Sequence, residues 1–472
     1  MKFLNTIIFF AILAASLCSC IEDGFTTSPS DQPDFSADTL KMGLLFTDEG
    51  SPTARFTVYN RASKGISIND IRLEGDNASM FRLNVDGLSG HDFHNVEIRA
   101  NDSIFVMVDA LLPENGSDLP VDVSAKVRFS TNGVDRHVVL TAQGQDVNRL
   151  HGSIIDCDTR LTAGKPYQIF DSLIINPGAT LTIEAGTRLY FHDAAYMRVG
   201  GTLQSLGTAE AHVDMTGDRT GNVVGQISFD IMSRQWGGVI FDKTSKNNIF
   251  EHTDLRNTTF GVIIDGDGTT STDEPALTIL NSRLHNSGDV VLFANHASVV
   301  AAGTEFAEGS YGLVALNGGN HRFDHCTLAN NYLFTAIGGP ALQFGHINAD
   351  NDDESTLPYL KADITNTIIY GLGTELSHGD LTDTEIFLRN CLLRSEGTDD
   401  DHFINCIWGE DPLYYTVRED YLFDYRLKPD SPARGAADES LALPQSATDP
   451  YGTPRNGALG AYEAAGPEEN QQ

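Results

Sequence analysis

Basic residues are scarce in this sequence. Its 472 residues include 31 lysines and arginines against 65 aspartates and glutamates, so the formal net charge is −34 at pH 7. Nucleic acids and anionic membrane surfaces are bound through clustered positive charge, and this balance therefore argues against both as partners. The same excess of negative charge weakens long-range attraction to polyanionic glycans such as pectate or alginate.

Long apolar runs are also rare. Residues 3–17 are mostly apolar and follow Lys2, which is typical of a secretory leader. No later segment approaches the ~20 apolar residues that a membrane-spanning helix needs. We therefore expect the chain to meet a membrane only through its N-terminus.

The leader ends in the sequence Leu-Cys-Ser-Cys at residues 17–20, which resembles a bacterial lipobox. The resemblance implies that residues 1–19 are a lipoprotein signal peptide and that Cys20 carries the lipid. Residues 20–34 are polar and begin with acidic side chains, and they resemble the flexible export tether of Bacteroidetes-type surface lipoproteins. That likeness implies an outer-membrane lipoprotein exposed at the cell surface. A plain signal peptide with incidental cysteines is the alternative.

A four-residue phrase recurs six times in the second half of the chain. Its second position is Thr, Ser or Cys, its fourth is Leu, Ile or Phe, and successive copies start 29, 22, 22, 41 and 24 residues apart. Residues two apart in a strand share a face, so both positions are expected to point into a core. A repeat of about 22 residues predicts a parallel β-helix, with corners at position six, where Asn and Gly are common. The copies begin at His252, Asn281, Gly303, His325, Asn366 and Asn390.

Cysteine is scarce as well. Beyond the leader the chain has Cys157, Cys326, Cys391 and Cys406. Cys326 and Cys391 take the same core position in repeats that lie two coils apart, and neighbouring coils are ~4.8 Å apart. A separation of about 10 Å exceeds the reach of a disulfide, so both are expected to be buried free thiols.

Residues 35–147 form a different unit, in which runs of alternating apolar and polar residues lie between turn-rich stretches. Such runs predict a β-sandwich. The order of residues 56–60, 68–71 and 138–144 resembles immunoglobulin-like domains of the choice-of-anchor-D and abnormal-spindle type. The resemblance implies a spacer or an adhesion module.

The coils are expected over residues 150–425. Residues 177–189 form two short alternating strands with Gly at each corner, and they resemble the opening coils of right-handed β-helix proteins of the pectate-lyase-like type. Residues 405–463 contain segments in the order seen in choice-of-anchor-Q β-helix proteins. We therefore expect an all-β chain, with an immunoglobulin-like β-sandwich followed by a right-handed parallel β-helix. Residues 426–463 are expected to cap its open end, and residues 464–472 to be a disordered tail.

The outward positions of the repeat give one cluster of charged side chains. Position three carries Asp254, Arg283 and Glu305 in successive coils, and position five carries Arg256 and His285. A polysaccharide lyase needs carboxylates that hold Ca²⁺ and a basic residue, and a glycoside hydrolase needs two or three carboxylates. Asp254, Arg283 and Glu305 are therefore the catalytic candidates. The competing interpretation is a strip of exposed ion pairs that neutralise one another.

Two insertions between repeats are rich in acidic residues. The first, residues 265–274, lacks the ligand spacing of an EF-hand loop. The second is either a site for a hard cation, with Ca²⁺ as the one cofactor considered, or a solvated loop. Its carboxylates are Asp350, Asp352, Asp353 and Glu354.

These observations predict a monomeric surface lipoprotein that binds a glycan or a protein ligand without catalysis. The resemblance to β-helix enzymes leaves a second hypothesis, a polysaccharide lyase or glycoside hydrolase that acts from an outer sheet face. An enzyme would bring carboxylates and a base together in a groove on that face.

Overall fold

The structure is a computed structural model that describes residues 24–224, 227–345 and 359–463. Strands make up 50% of the chain and helices 4%, which confirms the all-β class. In the part of the chain described, no helix is both long and apolar enough to cross a membrane. The chain divides into two compact units at Asp146 and Val147, and each is described by itself.

Several predicted features lie outside the described residues. They are the signal peptide over residues 1–19, the lipidation site Cys20 and the tail over residues 464–472. The cation candidates of the second insertion also lie there, namely Asp350, Asp352, Asp353 and Glu354.

The N-terminal unit is immunoglobulin-like and consists of two five-stranded sheets. In sheet order, the first contains Asp34–Phe35, Ala54–Tyr59, Ser103–Ala110, Phe81–Val85 and Leu88–Gly90. The second contains Thr39–Phe46, Val134–Gln145, Val121–Thr131, Ile66–Glu74 and Asp92–Ile98, and a short 3-10 helix spans Ala78–Met80.

Alternation of apolar and polar residues explains how these strands form a core. In the strand Ser103–Ala110, Val106 and Val108 are fully buried, whereas Phe105 and Met107 are at least 40% exposed. Successive residues of a strand point to opposite faces, so one apolar face is enough to build the interior.

The second unit is a stack of coils with three ladders of parallel strands, which is consistent with a β-helix. Asn148–Ile155 pairs with Tyr167–Ile175, and two ladders continue from Tyr167–Ile175. Together these strands form an 18-stranded sheet. The first ladder continues through Arg188–Phe191, Val213–Gly217, Thr253–Arg256, Arg283–Ser287, Glu305–Gly309, Thr327–Asn330, Ile368–Gly371, Leu392–Leu393 and Ile407–Trp408. The second continues through Tyr196–Val199, Val239–Phe241, Val262–Asp265, Val290–Asn295, Gly312–Asn317, Leu342–Phe344 and Leu376–Ser377.

The third ladder is a separate 10-stranded sheet. It contains Thr159–Leu161, Thr180–Glu184, Thr202–Leu206, Asn248–Glu251, Leu277–Leu280, Val299–Ala302, Gly319–Asp324, Leu360–Thr365, Glu385–Arg389 and Phe403–Ile404. The remaining elements are a hairpin, Asn222–Val224 with Ile227–Ser228, and four 3-10 helices, Phe229–Ile231, Arg418–Asp420, Glu439–Leu441 and Pro444–Ser446.

The register of the first ladder matches the alignment of the recurring phrase. Asp254 pairs with Arg283, Arg283 pairs with Glu305, and Glu305 pairs with Thr327. The fourth residue of every copy is at most 1% exposed, and the second is fully buried. These buried residues are Leu255, Leu284, Phe306, Leu328, Ile369 and Leu393, and Thr253, Ser282, Thr304, Cys326, Thr367 and Cys391.

The inward polar positions are not isolated in the core. The backbone N–H of Thr253 donates to Ser282 Oγ at 3.0 Å, and the hydroxyls of Thr253 and Ser205 are 2.7 Å apart. Cys326 and Cys391 are free thiols, as expected.

Corners lie at the first residue of each phrase as well as at the predicted position six. All six first residues have φ between 42° and 61°, from His252 to Gly303. At position six, Asn257, Asn286 and Glu308 have φ of 70°, 56° and 56°. Asn tolerates this left-handed backbone, which explains its frequency at both corners.

The C-terminal segment, defined as residues 413–463, lies along the outer face of the first ladder. It was expected as a cap over the open end. Gly460 N–H donates to Asn366 O at 2.8 Å, and Ala461 N–H donates to Thr327 Oγ1 at 2.9 Å. The outward side chains of the later coils are apolar and pack against this segment, which explains its position. Ala307, Ala329, Ile368 and Leu392 pack there with Tyr414, Tyr425, Leu427 and Leu459.

Candidate functional site

A cleft of about 600 Å³ opens on the outer face of the first ladder, and we call it the outer-face cleft. Its lining includes the outward side chains of four successive coils, Asp214, Asp254, Arg283 and Glu305. The 3-10 helix Phe229–Ile231 and the C-terminal segment complete the lining. The cleft is therefore formed from residues far apart in sequence.

The corner asparagines hold the 3-10 helix against the coils. Asn257 Nδ2 donates to Asp230 O and Met232 O at 2.8 Å each, and Asn286 Nδ2 donates to Ile231 O at 2.9 Å. These amides provide hydrogen-bond donors to the backbone carbonyls of the 3-10 helix and of Met232, which follows it.

The C-terminal segment is held against the coils by histidines and tyrosines. Pro450 O lies 3.0 Å from His212 Nε2 and 3.1 Å from His252 Nδ1. The Tyr462 hydroxyl donates to Glu305 Oε2 at 2.5 Å, and the Tyr425 hydroxyl donates to Glu308 Oε1. Two carboxyl groups of the cleft therefore also anchor the segment.

Asp254 and Arg283 form a two-point ion pair within the cleft. Arg283 Nε lies 2.7 Å from Asp254 Oδ1, and Nη2 lies 2.5 Å from Oδ2. His212 Nδ1 is a further neighbour, 3.3 Å from Asp254 Oδ1. Burial opposes ionisation of Asp254, but the hydrogen bonds from Arg283 outweigh it and hold the pKa well below its usual range. Asp254 is therefore an ion at any working pH.

Among the described residues, Glu305 is neither exposed nor ion-paired, as it would be if Asp254, Arg283 and Glu305 formed a strip of exposed ion pairs. Asp254 is 5% exposed and Glu305 is 8% exposed, because the C-terminal segment covers this face. In the described part of the chain no ion pair joins Glu305 to Arg283, and Tyr462 is its hydrogen-bond partner instead. Burial raises the pKa of Glu305 to about 7. Whether these three residues are catalytic stays a prediction.

Glu308 is a second carboxyl that keeps its proton. It is 1% exposed, and burial raises its pKa to about 8. Its Oε1 accepts from Tyr425 and from the N–H of Asn331 at 3.2 Å. Its Oε2 has no hydrogen-bond partner in the described residues. The acid proton is therefore expected on Oε2, as a donor without an acceptor.

Within the described part of the chain, His285 has a hydrogen-bond acceptor without a donor, which complements the unpaired donor of Glu308. The amide orientation of Asn286 follows from its donation to Ile231 O, so Oδ1 faces His285 Nδ1 at 2.5 Å and Nδ1 carries the proton. Burial, and then the charge of Arg283, lower the pKa of His285 to about 3. Its Nε2 is thus unprotonated and can only accept a hydrogen bond. Like Glu308 Oε2, it has no hydrogen-bond partner in the described residues.

The remaining cations of the cleft are also paired. Arg256 Nη1 lies 3.0 Å from Asp214, with Asp230 at 3.7 Å from Nη2, and Arg426 Nη2 lies 2.7 Å from Asp424. Asp214, Asp254 and Asp424 are each paired with a guanidinium group, so among the described residues of the cleft these carboxylates are not free to bind a metal ion. The acidic loop from Asp350 to Glu354, which either binds Ca²⁺ or is solvated, lies outside the described residues.

Sequence reasoning did not single out Glu308 as a site residue, nor any residue of the C-terminal segment. A sequence feature could have identified Glu308, because it is a carboxyl at a corner position where neighbouring copies have Asn257 and Asn286. Tyr425, Tyr462 and the rest of the segment carried no such feature, since their contact with the coils spans more than a hundred residues.

No family model and no curated protein matches the chain. Solved structures give only weak likenesses. The PapD-like domain 7 of human CEP192 is 11% identical, with a TM-score of 0.19, over 26% of this chain and 92% of that one. A family 123 glycoside hydrolase from Clostridium perfringens is 7% identical, with a TM-score of 0.19, over 28% of this chain and 30% of that one. The periplasmic chaperone SfaE is 11% identical, with a TM-score of 0.18, over 25% and 59%. At these scores the likenesses carry no argument about function.

Proposed function

We propose that this protein is a surface lipoprotein with a right-handed parallel β-helix that binds a glycan in the outer-face cleft. The observation that carries the proposal is the lining of the cleft, where tyrosine rings stand beside hydrogen-bonding groups. Tyr421 is 38% exposed and Tyr451 is 49% exposed. Aromatic faces pack against the C–H faces of sugar rings, while a few placed polar groups bind the hydroxyls.

The finer parts of the proposal rest on the sequence. Lipid attachment at Cys20 and display at the cell surface follow from the lipobox resemblance. The right-handed winding follows from the resemblance of residues 177–189 to the opening coils of right-handed β-helix proteins. A monomer remains the expected state.

The size of the cleft favours a glycan over a protein ligand. A volume of about 600 Å³ lies within the ~300–1,000 Å³ of small-molecule sites. A stable protein partner would bury more than about 1,000 Å² of surface, which a cleft of this size does not provide by itself.

Calorimetry against a panel of soluble oligosaccharides tests the proposal. Tyr451→Ala should weaken binding roughly tenfold, a loss of about 1.4 kcal/mol, because it removes an exposed ring of the cleft. Tyr311→Ala is the matched control, since Tyr311 is also 49% exposed and lies outside the cleft. Equal loss in both variants, or no binding to any oligosaccharide, would contradict the proposal.

A glycoside hydrolase is the second candidate, and one observation favours it. Glu305 has a pKa of about 7 and can donate a proton near neutral pH, while Asp254 stays ionised. They lie two coils apart, about 10 Å, close to the ~6.5–9.5 Å between the carboxyls of inverting glycosidases. Binding is ranked first because Arg283 holds both oxygens of Asp254, which leaves it a poor base.

Incubation of the same panel with the protein separates the two candidates. A hydrolase would release new reducing ends, and Glu305→Gln would abolish that release while binding persists. Unsaturated uronate absorbance would indicate a lyase instead. Binding without either product supports the first candidate.

A further inference from the structure

The cationic side chains of the outer-face cleft are already neutralised. Arg283 is bound by Asp254 through two hydrogen bonds, at 2.7 and 2.5 Å. Arg256 and Arg426 have carboxylate partners of their own, Asp214 at 3.0 Å and Asp424 at 2.7 Å. Among the described residues that line the cleft there is no lysine. An anionic sugar entering here would meet no guanidinium that lacks a carboxylate.

Two carboxyl groups that line the cleft bind their protons more tightly than ordinary glutamates. Glu305 and Glu308 are buried and bonded to tyrosine hydroxyls, and burial raises their pKa values to about 7 and 8. Glu308 Oε2 is a donor without an acceptor, and His285 Nε2 is an acceptor without a donor. A hydroxyl group both donates and accepts, so one sugar hydroxyl has the chemistry to satisfy both atoms.

We propose that the outer-face cleft is selective for uncharged saccharides over uronates and amino sugars. The inference rests on the proposed glycan-binding function. Both unsatisfied atoms are buried and belong to residues that line the cleft, so a sugar hydroxyl that pairs with them requires the lining side chains to move. The partly exposed rings of Tyr421 and Tyr451 would pack against the apolar faces of such a sugar.

Charge explains why the other two classes are disfavoured. A uronate needs a free cation, and it would instead face four aspartates and a chain of net charge −34. The aspartates are Asp214, Asp230, Asp254 and Asp424. An amino sugar would be attracted by that charge from a distance. Inside the cleft its ammonium, with three donors and no acceptor, would need a carboxylate that is already bound to a guanidinium.

The experiment compares three oligosaccharide classes of equal length on the full chain. The neutral probes are cello-, xylo- and mannohexaose, the anionic probe is hexagalacturonate, and the cationic probe is chitosan hexamer. We expect at least one neutral probe to bind at least tenfold more tightly than either charged probe. Preferential binding of hexagalacturonate or of chitosan hexamer overturns the inference and leaves glycan binding intact. Binding of none overturns the proposed function as well.

A variant that frees one arginine of the cleft tests whether charge pairing causes the selectivity. Asp254→Asn releases the guanidinium of Arg283, and affinity for hexagalacturonate should then rise on the order of tenfold. The matched control is Asp242→Asn, which frees Arg198 from an ion pair at 3.0 Å outside the cleft and should change nothing. Equal gains in both variants would mean that any freed arginine suffices, which contradicts the assignment to this cleft.

A second variant guards against misfolding of the first. Asp424→Asn frees Arg426, whose side chain is 33% exposed, and the pair is less buried than that of Asp254. It should give a gain for hexagalacturonate of the same sign. Failure of both correctly folded variants to gain affinity, as judged by unchanged circular dichroism, overturns the charge-pairing argument.

Discussion

At the scale of single residues, the cleft depends on carboxyl groups that stay protonated. The sequence identified Glu305 as an outward charge but could not foresee its neutral form. That form depends on burial beneath Tyr462, which lies 157 residues away in the sequence. Glu308 was visible as an unusual corner residue, yet its partner Tyr425 is 117 residues away. Local spacing predicts which face a side chain takes, whereas its protonation depends on what covers that face.

Replacing both carboxyls by amides should flatten the pH dependence of stability. The folded-state pKa values of Glu305 and Glu308, about 7 and 8, lie above the ordinary value of 4.5. The folded state therefore holds more protons, and the unfolding free energy falls as pH rises from about 4.5 to 8. The fall should be on the order of 3 kcal/mol for each carboxyl. Urea unfolding at pH 5 and pH 8 measures it.

The double variant Glu305→Gln and Glu308→Gln should lose most of that slope. Glu385→Gln is the control, because Glu385 is an exposed carboxyl on the third ladder and should leave the slope unchanged. A slope as steep in the double variant as in the wild type would mean that other groups cause it.

At the scale of elements, the repeat period predicted the first ladder and its register. A side-chain period of two and a repeat near 22 residues leave little freedom in how successive coils align. The corner at the first residue of each phrase was not predicted, because His and Asn there have no sequence feature that distinguishes a left-handed backbone from an ordinary turn. A seventh copy at Asn405 was also missed, and its Ile407 pairs with Leu392.

The inward stack makes Leu328 a strong test of this register. Leu328→Ala should lower the unfolding free energy by about 2–5 kcal/mol, because it leaves a cavity in a packed core. Leu372→Ala removes the same atoms from a side chain that is 44% exposed, and it should cost at most about 0.5 kcal/mol. Denaturant unfolding of both variants provides the comparison. Similar losses would show that the register of the stack is misassigned.

At the scale of the whole molecule, the sequence predicts the fold class and the side of the cleft formed by the coils, but not the side formed by the C-terminal segment. Composition and alternation are enough to predict an all-β chain of two units. The expected end cap required knowledge of where residues 426–463 pack, and this is decided by apolar outward side chains such as Ile368 and Leu392. The repeat places both residues at the outward position three, but an apolar residue there does not show which segment of the chain covers it.

The net charge of −34 gives the whole molecule a testable salt response. Affinity for a neutral hexasaccharide should change less than about twofold between 0.02 and 0.5 M NaCl, because an uncharged ligand gains nothing from the long-range field. Binding of hexagalacturonate to Asp254→Asn should respond to salt several times more strongly. Calorimetry at the two ionic strengths measures both. A steep salt dependence for the neutral ligand would contradict an uncharged binding mode.

The position of the C-terminal segment also bears on the order in which the protein becomes competent. Stacked coils contact mainly their neighbours, so they can form progressively along the chain. Tyr425, Tyr451 and Tyr462 are synthesised last, yet they close a cleft whose floor begins at Asp214. The coils can thus form before the C-terminal segment packs on them. On the proposed function, ligand binding begins only when that segment is in place, and a chain that ends before it should not bind the glycan.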